Sequence, residues 1–443
     1  MKLWDKGGNT NKKIEEFTTG KDRELDTDLA AWDIAGTIAH ITMLKKTELL
    51  SQSDYDQLIP ELKTLYKRAV KGEFIIEEGV EDIHSQVEML LTQKLGDIGK
   101  KVHSGRSRND QVLLDLRLYT REEIKNITTL TKTFFNTLQQ KSEKHKDDLL
   151  PGYTHLQVAM PSSFGLWFGA YAESLTDDMH LLYAAWTTAN QNPLGTAAGY
   201  GSSFPLDREL TTKLLGFDEM SYNVIYAQMG RGKTERNVAM AIASIASTIS
   251  KFAMDACLYM SQNFAFISLP DELTTGSSIM PHKKNPDIFE LLRAKCNRLQ
   301  ALPQDIMMIT SNLPSGYFRD LQLIKELYIP ALKEIKSCIE IAEFGAKNII
   351  VTKDIMKNPA YKYAFSVEEV NNRVIKGVPF REAYREVGKE IEKGEFKAPS
   401  NISHTHHGSI GNLCNKEISK KMDNILNQFS FNKMEKAINS LIT

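Results

Sequence analysis

Cysteine is scarce: Cys257, Cys296, Cys338 and Cys414 are spread over 443 residues with no CxxC pair. That excludes a disulfide-stapled scaffold and fits a reducing compartment. An excess of one charge is lacking too. Lys+Arg number 55 against Asp+Glu 56, so the basic surplus usual in a nucleic-acid binder is missing and no nucleic-acid partner is expected. Long apolar runs are missing. The longest tempting one, Val238 to Ser250, is rich in Ala and Ser and ends at Lys251. It is too short to span a bilayer, reads as a buried helix and implies no membrane partner. Met1 to Asn11 are charged and Gly-rich, without the apolar run of a signal peptide, and a cytoplasmic location is expected. Strand signals are sparse as well: period-2 alternation of β-branched residues is confined to short stretches such as Phe74 to Ile76. No internal repeat or low-complexity linker interrupts the chain.

Helix signals are abundant instead. From Leu113 to about Lys146, residues Leu114, Leu118, Ile124, Ile127, Leu130, Phe134 and Leu138 recur at helical spacing. Ser162–Ala189, Glu235–Gln262, Pro286–Ser311 and Leu321–Phe344 read the same way. The run from Glu235 is apolar nearly all round, which suits the inside of a bundle, where small residues let helices approach. The pattern predicts an all-α chain: a long central helical bundle (107–351) flanked by two smaller, mainly helical domains (1–106 and 352–443).

Four polar, Gly/Pro-punctuated segments abut those helices: Lys101–Gln111, Pro151–Pro161, Thr274–Pro286 and Leu313–Glu326. Loops on a rigid scaffold are where chemistry usually sits. In the third, Asn285 reads as an N-cap, Pro286 as the first helical residue and Asp287 as a first-turn acid. Ser277, Ser278, His282, Lys283 and Lys284 then feed a helix N-terminus, a place suited to negative charge; the plain alternative is a capped loop with solvated lysines. Arg106, Arg108 and Asn109 form a donor cluster able to hold carboxylates, or a surface salt-bridge cluster with Asp110 capping the next helix. His155, beside Thr154, suits a general acid or base, or a structural hydrogen bond. Tyr317, Arg319, Gln322 and Lys325 form either a substrate clamp or a polar face, Gln322 and Lys325 sharing one side of a helix. His84 either lies near a site or caps a helix. His404, His406 and His407 lack an acid or Cys partner at a usual spacing, so no metal is expected. Gly195–Gly201 has neither GxGxxG nor a Walker lysine, and no nucleotide cofactor is expected.

Taken together and in this order, these segments resemble the fumarase/aspartase superfamily. TGSSIMPHKKNP (Thr275 to Pro286) is similar to its signature, a long and specific string. HSGRSRNDQ (His103–Gln111), GYTHLQ (Gly152–Gln157) and LPSGYFRDLQLIKE (Leu313–Glu326) resemble the argininosuccinate lyase family within it. Lys2-Leu3-Trp4, DIAGTIAH (Asp33–His40), Glu81–His84, Pro193–Gly195 and GVPFREA (Gly377–Ala383) extend the resemblance over nearly the whole chain. It departs at Met160, where Gln is common, at Tyr226, where Asp is usual, and at Phe365–Val367; Phe17–Leu29 carries two extra residues.

The resemblance implies a fumarase/aspartase-like fold and a reversible β-elimination that releases fumarate from argininosuccinate, with no metal or other cofactor. Adenylosuccinate lyase, aspartase or a catalytically silent relative are the alternatives. Among residue roles, it implies Ser277 as base, and His155 as acid or proton relay with Glu290 as its carboxylate partner. Lys283 and Asn285 would hold the carboxylate beside the abstracted proton, while Arg108, Asn109, Thr154, Tyr317, Gln322 and Lys325 would hold substrate. It further implies a homotetramer whose sites are each built from three chains.

Overall fold

The structure is a computed structural model that describes residues 12–399, 402 and 404–443; the Lys2-Leu3-Trp4 motif lies outside the described residues. After two short helices, Lys12–Thr19 and Asp22–Leu25, three longer ones follow: α1 (Ala30–Lys46), α2 (Gln52–Val70) and α3 (Ile83–Leu95). They share a core of Ile34, Ile38, Leu58, Leu62, Ile83 and Val87. Phe74–Ile76, the strand-like stretch of the sequence, is paired with no strand.

α4 (Arg108–Lys144) starts at a capping box, with the Asp110 carboxylate accepting from Ser107 N at 2.8 Å. The other Asp110 oxygen accepts from the backbone of Gly195 and Ala197, both at 3.0 Å. The Gly-rich GTAAGYG segment thus wraps a helix cap. Gly36 of α1 lies so close to α4 that a Cβ there would sit 2.6 Å from Leu114 Cδ2.

After α4 the chain forms a hairpin, β1 (Leu149–Thr154) against β2 (Gln157–Ser163), antiparallel with Leu149 opposite Ser163 and Thr154 opposite Gln157. The sequence reads as a loop here because Pro151, Gly152 and Pro161 disfavour strands. The hairpin accommodates them by setting Pro151 opposite Pro161 and breaking register between Pro151 and Tyr153.

The bundle continues with α5 (Phe164–Ala189), α6 (Lys233–Met260), α7 (Asp287–Leu299), α8 (Leu302–Thr310) and α9 (Ile324–Asn348). The single run expected over 286–311 is two helices. Pro303 lacks an N–H and is tolerated only in a first turn, so the helix restarts there. α4, α5, α6 and α9 pack around one core, to which α6 contributes Ala239, Ala246, Ala253 and Ala256. α6 is the one described helix long and apolar enough to cross a membrane, and 56% of that window is buried in the bundle.

α4 and α9 run in the same direction, as their cross-links show: Glu123 to Lys336, Thr137 to Glu343 and Lys141 to the Ile349 carbonyl. Beyond the bundle, α10 (Ser366–Ile375) and α11 (Phe380–Glu392) enclose a small core of Val370, Ala383, Val387 and Phe396. α12 (Asn415–Leu426) and α13 (Phe431–Ile442) return to pack on α5 and α1. The chain is mainly helical, as the sequence pattern predicts.

Candidate active site

The N-terminal ends of α4 and α9 meet at a cleft of about 270 Å³. Arg108 and Asn109 reach it from the first turn of α4. Tyr317, Gln322 and Lys325 come from the segment that leads into α9, in which Arg319–Leu323 forms a 3-10 turn. Five of the proposed substrate-holding residues thus line one cavity, together with Asp22, Asp26, Glu81, Asp82, His84, Val112, Arg231 and Arg319.

Three of the four cations there are paired with carboxylates. Lys325, 3% exposed, bridges Asp22 at 2.7 Å and Asp26 at 2.6 Å. Burial opposes its charge, but Asp26 and Asp22 outweigh burial and raise its pKa. Asp22 itself is pushed up to about 6 because burial outweighs the pull of Lys325. Arg108 pairs with Glu81 at 2.9 Å and Asp82 at 3.3 Å. Asp82 is half-buried, and His84 and Arg108 outweigh its desolvation and hold its carboxyl below the usual range. Arg319 also reaches Glu81, at 3.1 Å, and Gln322 donates to the carbonyls of Thr18 and Thr19. Residues 18–26 therefore form one wall of the cleft.

Behind that wall His84 Nδ1 lies 2.7 Å from Asp33 and 3.6 Å from Asp115. Asp82, not His84, caps α3. Burial opposes an imidazolium, but Asp33, then Asp115 and Asp82, raise His84 to about 9. Asp115 is raised in turn, by burial and by the Asp33 charge. His84 thus sits between two buried acids, bonded to Asp33 and close to Asp115. The three side chains could in composition hold a metal ion, but the imidazolium and the nearby Arg106 charge favour a proton in that place.

The other expected site residues lie elsewhere. His155 and Leu156 form the turn of the β1–β2 hairpin, both left-handed with φ of 54° and 57°. Such a conformation costs a non-glycine residue about 1–2 kcal/mol, and strain of this kind collects at functional sites. Thr154 and His155 are exposed, and Leu156 is 77% exposed. On the signature loop, Ser277 Oγ accepts from the backbone N–H groups of Ile279 at 3.3 Å and Met280 at 3.1 Å. Lys283 is exposed, and Lys284 pairs with Asp271. Asn285 does not cap α7. The helix starts at Asp287 with Pro286 before it, and the Asn285 amide turns back to Thr275 and Gly276, closing the loop on itself. Glu290 is exposed in the first turn of α7.

Arg108 and the hairpin lie at opposite ends of α4, which at 37 residues is ~55 Å long. The Ser277 loop belongs to the hairpin's end. It follows Ile267–Ser268, which pairs with Ile350–Val351 just beyond the C-terminus of α9. Among the described residues, no hydrogen bond or ion pair joins His155 to Ser277, Lys283 or Glu290. One chain thus gathers Arg108, Asn109, Tyr317, Gln322 and Lys325 at one end and keeps Thr154, His155, Ser277, Lys283, Asn285 and Glu290 at the other.

Sequence reasoning missed Asp22, Asp26, Asp115 and Arg231. Arg231 carried a usable signal, an arginine between Gly230 and Gly232 just before a long helix. Of the His404–His407 cluster, His404 bonds Ser409 at 2.7 Å and Glu368 at 3.0 Å, while His406 and His407 are exposed.

Residues 7–301, more than half of the chain, match a protein family described as Lyase, and that is the class to which fold and site belong. Over 442 residues the chain is 60% identical to the argininosuccinate lyase of Phocaeicola vulgatus, covering 100% of this chain and 99% of that one. It is 38% identical to the argininosuccinate lyase of Thermotoga neapolitana, covering 88% and 98%. The chain belongs to the argininosuccinate lyase family. Among solved structures, an EDDS lyase variant with bound fumarate superimposes with a TM-score of 0.78 at 20% identity, covering 98% of this chain and 95% of that one. A class II fumarase from Schistosoma mansoni does so with a TM-score of 0.72 at 15% identity, covering 96% and 94%. At those identities the match establishes the fold.

Proposed function

We propose that the protein catalyses the reversible elimination of fumarate from argininosuccinate, leaving arginine, as a step of arginine biosynthesis in the cytoplasm. The observation that carries this reading is the cleft at the heads of α4 and α9. Arg108, Arg231, Arg319 and Lys325 meet Asp22 and Asp26 there. A substrate with several carboxylates and cationic groups finds a partner for each.

The reaction removes a weakly acidic proton beside a carboxylate, and charge spreads into that carboxylate as an aci-carboxylate. Ser277 acts as base. A serine hydroxyl is a weak acid, and the two backbone N–H groups aimed at its Oγ favour the alkoxide by bonding to the charged form. Lys283 and Asn285 hold the aci-carboxylate; one such donor contributes ~3–4 kcal/mol to a transition state. His155, oriented by Glu290, supplies the proton with which the guanidinium departs as a cation. Arg108, Asn109, Thr154, Tyr317, Gln322 and Lys325 hold the substrate. This chemistry requires no metal or redox cofactor.

The complete site forms in a homotetramer, each site built from three chains. Two features support that reading: the ~55 Å that separates the cleft from the hairpin within a chain, and apolar side chains left exposed around the chemical groups. Leu156 is 77%, Ile279 84% and Leu291 62% exposed, apolar side chains that a neighbouring chain would cover. Absorbance near 240 nm, where fumarate appears, tests the activity. Release from argininosuccinate, and none from adenylosuccinate or aspartate, is expected; equal release from adenylosuccinate overturns the assignment.

A further inference from the structure

Beside the substrate cleft lies a second cavity of about 210 Å³, and Arg231 lines both. Its wall carries three cations, Arg231, Lys233 and Arg236, and among the described residues no carboxylate. Arg231 is 4% exposed. Its Nη2 donates to the Leu321 carbonyl at 3.1 Å and its guanidinium lies 5.5 Å from the centre of the Tyr317 ring, while Nε and Nη1 have no hydrogen-bond partner. Arg236 Nε is likewise buried and unpartnered. The nearest acid in sequence, Glu235, is spent on the helix cap, accepting from Gly232 N at 2.6 Å. Asp22, whose pKa feels the Arg231 charge, belongs to the first cleft. The cavity also sits at the N-terminus of α6, a 28-residue helix whose first N–H groups and dipole favour an anion. The approach is tight: Gly232 has φ of 82°, and a Cβ on it would lie 2.4 Å from Thr310 Cγ2. Buried guanidinium N–H groups without acceptors are rare, because leaving them so is costly.

We propose that this second cavity binds a small dianion, held by Arg231, Lys233 and Arg236 at the head of α6, and that through Arg231 its occupancy is sensed in the substrate cleft. Inorganic phosphate and a four-carbon dicarboxylate such as the elimination product share the required chemistry. The proposal does not rest on argininosuccinate being the substrate.

Calorimetry on the intact oligomer, with inorganic phosphate and with succinate as probes, tests it. Millimolar or tighter binding of at least one probe is expected, and the tighter one identifies the source. Lys233→Gln with Arg236→Gln should weaken that binding at least tenfold, each single change should weaken it partly, and Arg108→Ala in the first cleft should leave it in place. In probe-free buffer the double variant should keep its kcat/KM. Adding the probe should raise KM in the unaltered protein and not in the double variant. Three results overturn the proposal: binding of neither probe, binding unchanged in every Lys233 and Arg236 variant, or binding abolished by Arg108→Ala, which would place the anion in the substrate cleft.

Discussion

The ammonium nitrogen of Lys325 lies 2.6 Å from Asp26 Oδ1, in a wall where both side chains are nearly inaccessible to solvent. On the proposed assignment, a substrate carboxylate reaching Lys325 would join an ion pair that already exists, and the lysine would hold the cleft together as well as binding. Lys325→Met should therefore raise KM for argininosuccinate at least tenfold with a smaller fall in kcat. It should also destabilise the fold, since removing one member of a buried pair costs about 3–5 kcal/mol. Adding Asp26→Asn should recover stability and leave KM high. A variant that loses kcat alone, with KM and melting temperature unchanged, contradicts this assignment.

Ser277→Ala should lower kcat by three orders of magnitude or more, because a base acts in the chemical step. Argininosuccinate should still bind the variant with nearly unchanged affinity by calorimetry, since its carboxylates are held by the cleft cations rather than by the serine hydroxyl. Near-normal turnover would transfer the role to Ser278, its neighbour on the loop.

Mixing two inactive chains tests the shared site. His155→Asn and Ser277→Ala proteins, each nearly inactive alone, should regain activity when unfolded and refolded together. Random assembly leaves roughly a quarter of sites with both residues intact. Separately refolded controls should stay inactive, and no recovery in mixed tetramers means that both residues serve one site from one chain.

His84 supplies a pH dependence. Its pKa rises from an ordinary 6.5 to about 9 in the fold, chiefly through Asp33 against the opposing effect of burial. A group whose folded pKa is raised lends stability that is complete below its unfolded pKa and lost as pH climbs through the folded value. The unaltered protein should therefore lose its stability advantage over His84→Gln between pH 6.5 and 9. The full difference is on the order of 3 kcal/mol. Thermal melts of both proteins across that range measure it, and parallel curves refute it.

The long helices were legible because apolar residues recur in them at helical spacing, as Ile127, Phe134 and Leu138 do in α4. The hairpin was not legible: Pro151 and Pro161 mask a strand pair whose prolines face each other. The break between α7 and α8 depended on Pro303, whose place at a helix start resembles a kink within one helix until the fold is known. Of the site, Arg108, Gln322 and Lys325 were legible from their dense polar segments. Asp22 and Asp26 were not, because their role comes from lying against Lys325, about 300 residues away in sequence, and charged residues near an N-terminus are common without such a partner.

The length of α4 is itself an inherited quantity. Its 37 residues fix how far the Arg108 end of a subunit stands from its hairpin end. One residue deleted from its interior would rotate everything downstream by about 100° and shorten the rod by ~1.5 Å. Seven deleted together would nearly restore the facing residues, yet draw the two ends ~10 Å closer. Substitutions along the outer face of α4 can therefore drift over evolutionary time, whereas insertions and deletions within it should be purged, leaving homologues that vary in spelling along this helix and agree in its count.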